Sequence, residues 1–423
     1  MIIHQPELTT KDGHSILWTR IELAKKNGYF PKFIWYRLPT QYGNLFTTQN
    51  DTFLVSGLLA GMYFGENIEV KGVVSPRLAY QLEEYQFLLS FRFPECLHQI
   101  EIKYNQLDPL DISPKGVGST FSGGVDSFFT LWKNLPQNQP IPDYRITHGV
   151  FIKGFDILPA ENQHFEFLYE KYRRAAAHLR IELIPLETNV VSITHLRLPL
   201  ADFYGPIILS AGIALAGGFK RFFIPSSWDY NKLQKKAVAS DPLMDHLLST
   251  DTLDIINHGS THRRVEKVQE IADWEIAQNL LWVCETHKFE KDTWNCSRCE
   301  KCVRTMLPLY ALGKLDKFST FEKPFRNNQD GLWWARKFTL RRDFVSEIFP
   351  FVREHKPDFL PWLRLAALLG SIRYWIIFRL LPRFVKKWLR RFGYFVDRNE
   401  APDAYEIPEV IQRIQTAYDH PPT

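Results

Sequence analysis

Gly116-Val117-Gly118-Ser119-Thr120-Phe121-Ser122-Gly123-Gly124-Val125-Asp126-Ser127-Phe128-Phe129 is the stretch that decides the fold. Val117 to Phe121 reads as a short strand, and Phe128, Phe129, Leu131 and Trp132 open a helix. The glycine pair between them brings the backbone close to a ligand, because neither residue carries a Cβ. Backbone N–H groups at the helix start, reinforced by the helix dipole, face an anion. Ser122 and Ser127 offer hydroxyls, and Asp126 offers a carboxylate suited to a magnesium ion bridging phosphate oxygens. The pattern is a phosphate cradle but not a Walker loop, since no Lys-Ser or Lys-Thr follows the glycines.

Around the cradle the chain alternates. Tyr144 to Ile152 reads as a strand, Glu161 to Leu179 as a helix, and Ile181 to Leu186 as a third strand. Gly205-Pro206 is expected to open a helix with proline at its first position, closed by Gly217-Gly218, and Arg221 to Ile224 is a fourth strand. Strands alternating with helices predict a parallel sheet of about five strands covered by helices on both faces. Ligands of such sheets bind beyond the carboxyl ends of the strands. The cradle falls at such an end, as do Gly154-Phe155-Asp156 and Pro225-Ser226-Ser227.

Residues 1–113 carry no nucleotide motif. Phe33 to Tyr36, Ile68 to Val70 and Ile100 to Ile102 read as strands, and Phe53 to Tyr63 and Arg77 to Phe87 as helices, which predicts a small α+β domain. Cys96 reads as a structural cysteine. The expected core domain is 114–318, followed by a helical region at 319–423. The 423 residues give room for this division, with a net charge of +5. The start, MIIHQPELTTKDGH, has neither a basic nor an apolar leader region, and no apolar run is long enough to span a bilayer. The expectation is a cytoplasmic protein.

Beyond the fourth strand, Ser240 to His246 reads as a polar loop where a substrate could be recognised. Ser260 or Thr261 is expected to cap a helix with the apolar stripe Val265, Val268, Ala272 and Ile276. Arg264 and Lys267, near its start, could reach an anion bound at the cradle. His258 and His262 have metal-like spacing but no accompanying HExxH glutamate, and read as core or solvated histidines.

The second strong signal is cysteine spacing. Cys284 ends the strand-like run Leu280 to Val283, and Cys296, Cys299 and Cys302 follow as C-x2-C-x2-C before a helix at Val303 to Leu312. Two-residue gaps let thiolates converge on one ion, and four complete a closed zinc site. An iron–sulfur cluster is the competing occupant. Phe351 to Val396 is an aromatic and basic stretch, with Arg364, Arg373, Arg379, Arg383, Lys386, Lys387, Arg390 and Arg391 among large apolar residues. It reads as a solvated helical face or as a surface for an acidic protein, RNA phosphates or a membrane.

The SGGVDS segment resembles the signature of the PP-loop ATP pyrophosphatases, which split ATP between the α- and β-phosphates. With the four cysteines following in this order, residues 114 to 315 resemble the 7-cyano-7-deazaguanine synthases of the queuosine pathway. The resemblance implies that Ser122, Gly123, Gly124, Val125, Asp126 and Ser127 bind ATP and Mg2+; Asp126, with Arg264 and Lys267 from the later helix start placed to reach the leaving pyrophosphate, is the expected catalytic set. It implies that Cys284, Cys296, Cys299 and Cys302 hold Zn2+. It further implies a ligase that adenylates a 7-deazaguanine-type carboxylic acid for attack by ammonia or an amine. The long flanking regions and the wide gap from Cys284 to Cys296 point to an elaborated branch of the kind found in antiviral defence clusters, its acceptor a protein or peptide and, second, RNA. The alternatives are a tRNA-modifying PP-loop enzyme, a thiolase or lysidine synthase, and a non-catalytic nucleotide-binding subunit.

Overall fold

The computed structural model describes residues 1–24, 30–155, 157, 161–195, 200–235, 237–284, 294–297, 299–321 and 342–375. In chain order the elements are β1 (Ile2–Ile3), β2 (Glu7–Lys11), β3 (His14–Glu22), β4 (Phe33–Pro39), α1 (Asp51–Phe64), β5 (Ile68–Val74), α2 (Pro76–Arg92) and β6 (Ile102–Leu107). Then come β7 (Gly116–Thr120), α3 (Val125–Lys133), β8 (His148–Lys153), α4 (Asn162–His178), β9 (Glu182–Thr188), α5 (Leu200–Ala214), β10 (Phe219–Pro225), α6 (Tyr230–Leu233) and β11 (Asp254–His258). The remaining described helices are α7 (Arg264–Ile271), α8 (Glu275–Leu280), α9 (Glu300–Ala311), α10 (Arg342–His355) and α11 (Leu360–Trp375).

These elements fall into two units. The first holds Met1–Ser122 and Thr130–Thr261, and the second holds Gly123–Phe129 and the described residues from His262 on. All the described strands belong to the first unit, in one mostly parallel sheet of order β11-β10-β7-β8-β9-β4-β3-β1-β5-β6, with β2 on β3. Its parallel half reads β11-β10-β7-β8-β9. The chain starts in the middle at β7, moves out through β8 and β9, and returns to the other side of β7 for β10 and β11. The order therefore reverses between β7 and β10, the point where ligands of open α/β sheets bind. The sequence alternation was legible there, but β11 was not: its polar residues Asp254, Asn257 and His258 hide a strand whose only fully apolar core residue is Ile255.

The sheet does not stop where the expected domain boundary lies. β4 pairs antiparallel with β9 through Tyr36–Thr188 and Arg37–Glu187. Side chains reinforce the join: Thr188 Oγ1 donates to the Trp35 carbonyl at 2.7 Å, and the Trp35 N–H donates to Asn189 Oδ1 at 3.0 Å. One continuous apolar core runs from Met1 and Ile3 through Phe53, Leu58 and Leu82 to Ile184, Phe222 and Ile255. The N-terminal strands thus extend the sheet well past the five strands expected. An open edge at β9 would expose unpaired backbone groups, and β4 covers it.

One helix start also differs from expectation. Pro206 lies inside α5 rather than at its first position, since the helix already begins at Leu200. A proline interrupts one backbone hydrogen bond there, and the buried Ile207, Leu209 and Ala211 pack the helix in place. In the loop after β8, Gly154 has φ +118°, and a Cβ there would meet the Thr188 carbonyl oxygen. Only glycine fits this crossing. Asp156, Arg379, Arg383, Lys386, Lys387, Arg390, Arg391 and the rest of the basic tail beyond residue 375 lie outside the described residues.

Candidate functional site

In the chain the cradle directly follows β7, one of the two strands between which the order reverses. β7 ends at Thr120, and the Phe121 N–H donates to the Val150 carbonyl at 2.8 Å, carrying the pairing with β8 one residue further. Gly123, the first residue of the second unit's short segment, has φ +75°, the left-handed region in which a side chain is strained. The turn it makes lets α3 begin at Val125, and the Phe128 N–H donates to the Gly124 carbonyl at 2.9 Å. Val125 and Phe128 are fully buried and Ser127 is nearly so. Asp126 lies in the first turn, where the helix dipole favours a carboxylate.

Within the second unit Asp126 meets two cations. Arg264 Nη1 donates to Asp126 Oδ2 at 2.8 Å, and Lys267 Nζ donates to Asp126 Oδ1 at 2.9 Å. The Lys267 side chain is only 2% exposed, so its charge has little water to rely on. It also lies 5.8 Å from the centre of the Phe129 ring, whose face attracts a cation. Burial alone would raise the Asp126 carboxyl, but Lys267 and Arg264 outweigh it and hold the group down at about 2. Arg304, on α9, belongs to the same cluster and was not singled out in the sequence. Burial and the neighbouring charge of Arg264 pull its guanidinium down to about 10, against Glu347, Glu300 and Asp126. The Arg264 Nε is buried, and no acceptor meets it among the described residues.

This arrangement bears on the metal expectation. Both Asp126 oxygens are engaged by cations, so the carboxylate as it stands anchors a positive cluster. A single carboxylate holds magnesium only together with phosphate oxygens, and those oxygens would also draw Arg264 and Lys267. Asp126, with both oxygens engaged by Arg264 and Lys267, does not by itself make a magnesium site.

The four cysteines converge, also within the second unit. One ligand sulfur from each of Cys284, Cys296, Cys299 and Cys302 lies within 4.8 Å of the other three. Cys296 Sγ and Cys302 Sγ are 3.9 Å apart, close to the ~3.8 Å edge of a tetrahedron with Zn–S of ~2.3 Å. The Cys299 N–H donates to Cys296 Sγ at 3.2 Å, and Ser297 adopts φ +55° so that the knuckle can turn. Hydrogen bonding with Cys284, Cys296 and Cys299, followed by burial, pushes the Cys302 thiol far up. Four crowded sulfurs cannot ionise together without a cation among them. The donor set fits zinc.

Local geometry corrects one expected element here. Leu281 to Cys284 forms no strand. The Trp282 N–H donates to the Gly123 carbonyl at 2.9 Å, and the Val283 N–H donates to Asn295 Oδ1 at 2.9 Å. The buried Asn295 also donates to the Leu281 carbonyl at 2.8 Å and the Thr320 carbonyl at 3.2 Å. Its amide replaces the missing ladder and ties the first cysteine to the knuckle.

The other expected site residues have structural partners. The cap of α7 is Arg263, whose N–H donates to Glu266 Oε2 at 2.7 Å. Ser260 is engaged elsewhere, donating to Ser226 Oγ at 2.7 Å. His258 Nδ1 is 3.1 Å from Thr130 Oγ1, and the His262 ring packs on Phe129. Neither histidine belongs to the metal cluster. Ser240 to His246 is no ordinary surface loop, for Asp241 and Asp245 are buried. Asp241 pairs with Arg92. Asp245 Oδ2 accepts from Ser240 Oγ at 2.9 Å and Asn257 Nδ2 at 2.7 Å. No helix among the described residues is long and apolar enough to cross a membrane.

Compared with known proteins, the chain matches no protein-family model, no curated protein and no solved structure.

Proposed function

We propose that the chain is an ATP-dependent ligase that forms AMP and pyrophosphate. One observation carries the reading: the glycine turn that follows β7 in the chain leads into a helix whose Asp126 gathers Arg264 and Lys267. A cradle without a Walker lysine draws its cations from another helix, and α7 supplies them. The buried, acceptor-free Nε of Arg264 suits a phosphate oxygen.

The chemistry follows from what a carboxylate lacks. Its leaving group would be oxide, so a substrate carboxylate oxygen attacks the α-phosphorus of ATP, the bond to the β-phosphate oxygen breaks, and pyrophosphate departs. An amine or ammonia then attacks the acyl carbon and AMP leaves. Arg264, Lys267 and the loop N–H groups would stabilise charge gathering on pyrophosphate. Magnesium, held by the phosphates and Asp126, would neutralise the same charge. The four-cysteine cluster would hold a structural zinc ion, having no open position for chemistry. The acid we propose is of the 7-deazaguanine type and the acceptor a protein or peptide amine, the latter on the size and charge of the flanking regions alone.

The test is to incubate the purified protein with ATP, magnesium, candidate 7-deazaguanine acids and ammonia or amines, and to analyse products by mass spectrometry. AMP and pyrophosphate are expected in equal amounts. Release of ADP and orthophosphate would refute the assignment.

A further inference from the structure

The helix that brings Arg264 and Lys267 to Asp126 is held at its start by a residue far along the chain. α7 opens at Arg264, and its first turn leaves backbone donors without intrahelical partners. Glu266 takes the Arg263 N–H, and the Val265 N–H donates to Glu347 Oε1 at 2.8 Å. Val265 is 2% exposed and Glu347 is 4% exposed, so water is a poor substitute for that bond.

Glu347 comes from α10, which lies outside the stretch that resembles the pyrophosphatases. It shares a buried face of α10 with Ile348, Phe351 and Val352, and α10 packs on α7 and α9. That apolar face carries the carboxylate inside, where the charge of Arg304 on α9 also acts on it. Arg264 is the first residue of α7 and Lys267 the fourth, so a frayed first turn would displace both cations from Asp126.

We propose that Glu347 is a positioning residue: through the Val265 N–H it fixes the first turn of α7 and thereby sets Arg264 and Lys267 against Asp126. The C-terminal region then completes the site instead of merely decorating the core. For nucleotide binding, the proposal rests on the ligase reading above.

The experiment uses the full-length chain with Glu347→Ala and with Glu347→Gln, which keeps an oxygen for the Val265 N–H but not the charge. Two measurements are made at a temperature where each variant is folded: hydrogen exchange of peptides covering residues 263–268, and binding of MgATP by calorimetry. Glu347→Ala is expected to speed exchange in that turn and to weaken MgATP binding by about tenfold, the scale of a lost charge-assisted bond at a helix start. Glu347→Gln should recover part of both. Combined with Lys267→Ala, the Glu347→Ala loss in binding should shrink, because the two act through one path. Unchanged exchange at 263–268 in both variants overturns the proposal, as does a binding loss that is the same with and without Lys267. Should the unmodified protein bind no MgATP, the ligase reading fails, and the exchange measurement alone still decides whether Glu347 holds α7.

Discussion

Replacing Asp126 with asparagine tests the charge cluster most directly. A carboxylate on an exposed loop could be neutralised at little structural cost, but Asp126 lies between Lys267, 2% exposed, and Arg264, 12% exposed. Folding lowers its carboxyl from the ordinary value of 3.8 to about 2. That displacement corresponds to about 2 kcal/mol in favour of the ionised form. Asparagine keeps the shape and loses this term. It also leaves two buried cations facing each other with Arg304 nearby, and breaking a buried pair from one side costs about 3–5 kcal/mol. A loss of about 3 kcal/mol is therefore expected at neutral pH, or roughly 6–10 °C in the thermal midpoint of a unit of this size.

The pH dependence gives the result its specificity. Because folding lowers this carboxyl, its contribution is complete above the unfolded value near 4 and is lost as pH falls through about 2. Thermal unfolding of wild type and Asp126→Asn, followed by circular dichroism in magnesium-free buffer, should show a constant gap from pH 5 to 8 that narrows below pH 4. Equal stability at pH 7 would refute the reasoning, because Asp126 would then not be the counter-ion of Lys267 and Arg264. A gap that persists unchanged to the acid limit would refute it equally, since only shape would then matter.

Two further outcomes concern other parts of the molecule. Zinc analysis of protein purified without added metal should give one ion per chain and no acid-labile sulfide, and Cys299→Ser should lower yield and thermal stability, since binding such a metal is coupled to folding. A Cys299→Ser protein of normal stability that has lost only activity would point to a catalytic cluster. Burial, helped by the charge of Asp241, raises the Asp245 carboxyl to about 7 against its bonds to Asn257 and Ser240. Its contribution is complete below the unfolded value near 4 and is lost as pH rises through about 7. Asp245→Asn should therefore melt higher than wild type at pH 8 and no higher at pH 4. The same difference at both pH values would show that the carboxyl does not ionise in the fold.

What the sequence disclosed, and what it withheld, follows one physical line. Features set by neighbours along the chain were legible. The glycine turn, its flanking strand and helix, and the C-x2-C-x2-C knuckle are local, because backbone conformation and ligand spacing are decided within a few residues. Features set by distant partners were not. Arg264 and Lys267 could be suspected from their place at a helix start, but their contact with Asp126 spans 138 and 141 residues. β11 was hidden because hydrogen bonding to β10, not apolar alternation, makes it a strand. The N-terminal region looked separable because nothing in Phe33 to Tyr36 announces that its pairing partner is β9. Glu347 is the extreme case. An acidic residue on an amphipathic helix ordinarily reads as solvent-facing, and its burial is explained by partners far away in sequence: a backbone N–H 82 residues off and the charge of Arg304. A carboxylate is driven inside a helical face when a helix start waits there to receive it. Distant partners likewise link the two clusters of the second unit. α9 starts at the cysteine knuckle and carries Arg304 into the Asp126 cluster, while α7 carries Arg264 and Lys267 under the hold of Glu347. The cations thus reach Asp126 on two helices, α9 starting at the cysteine knuckle and α7 bonded at its start to the C-terminal helix.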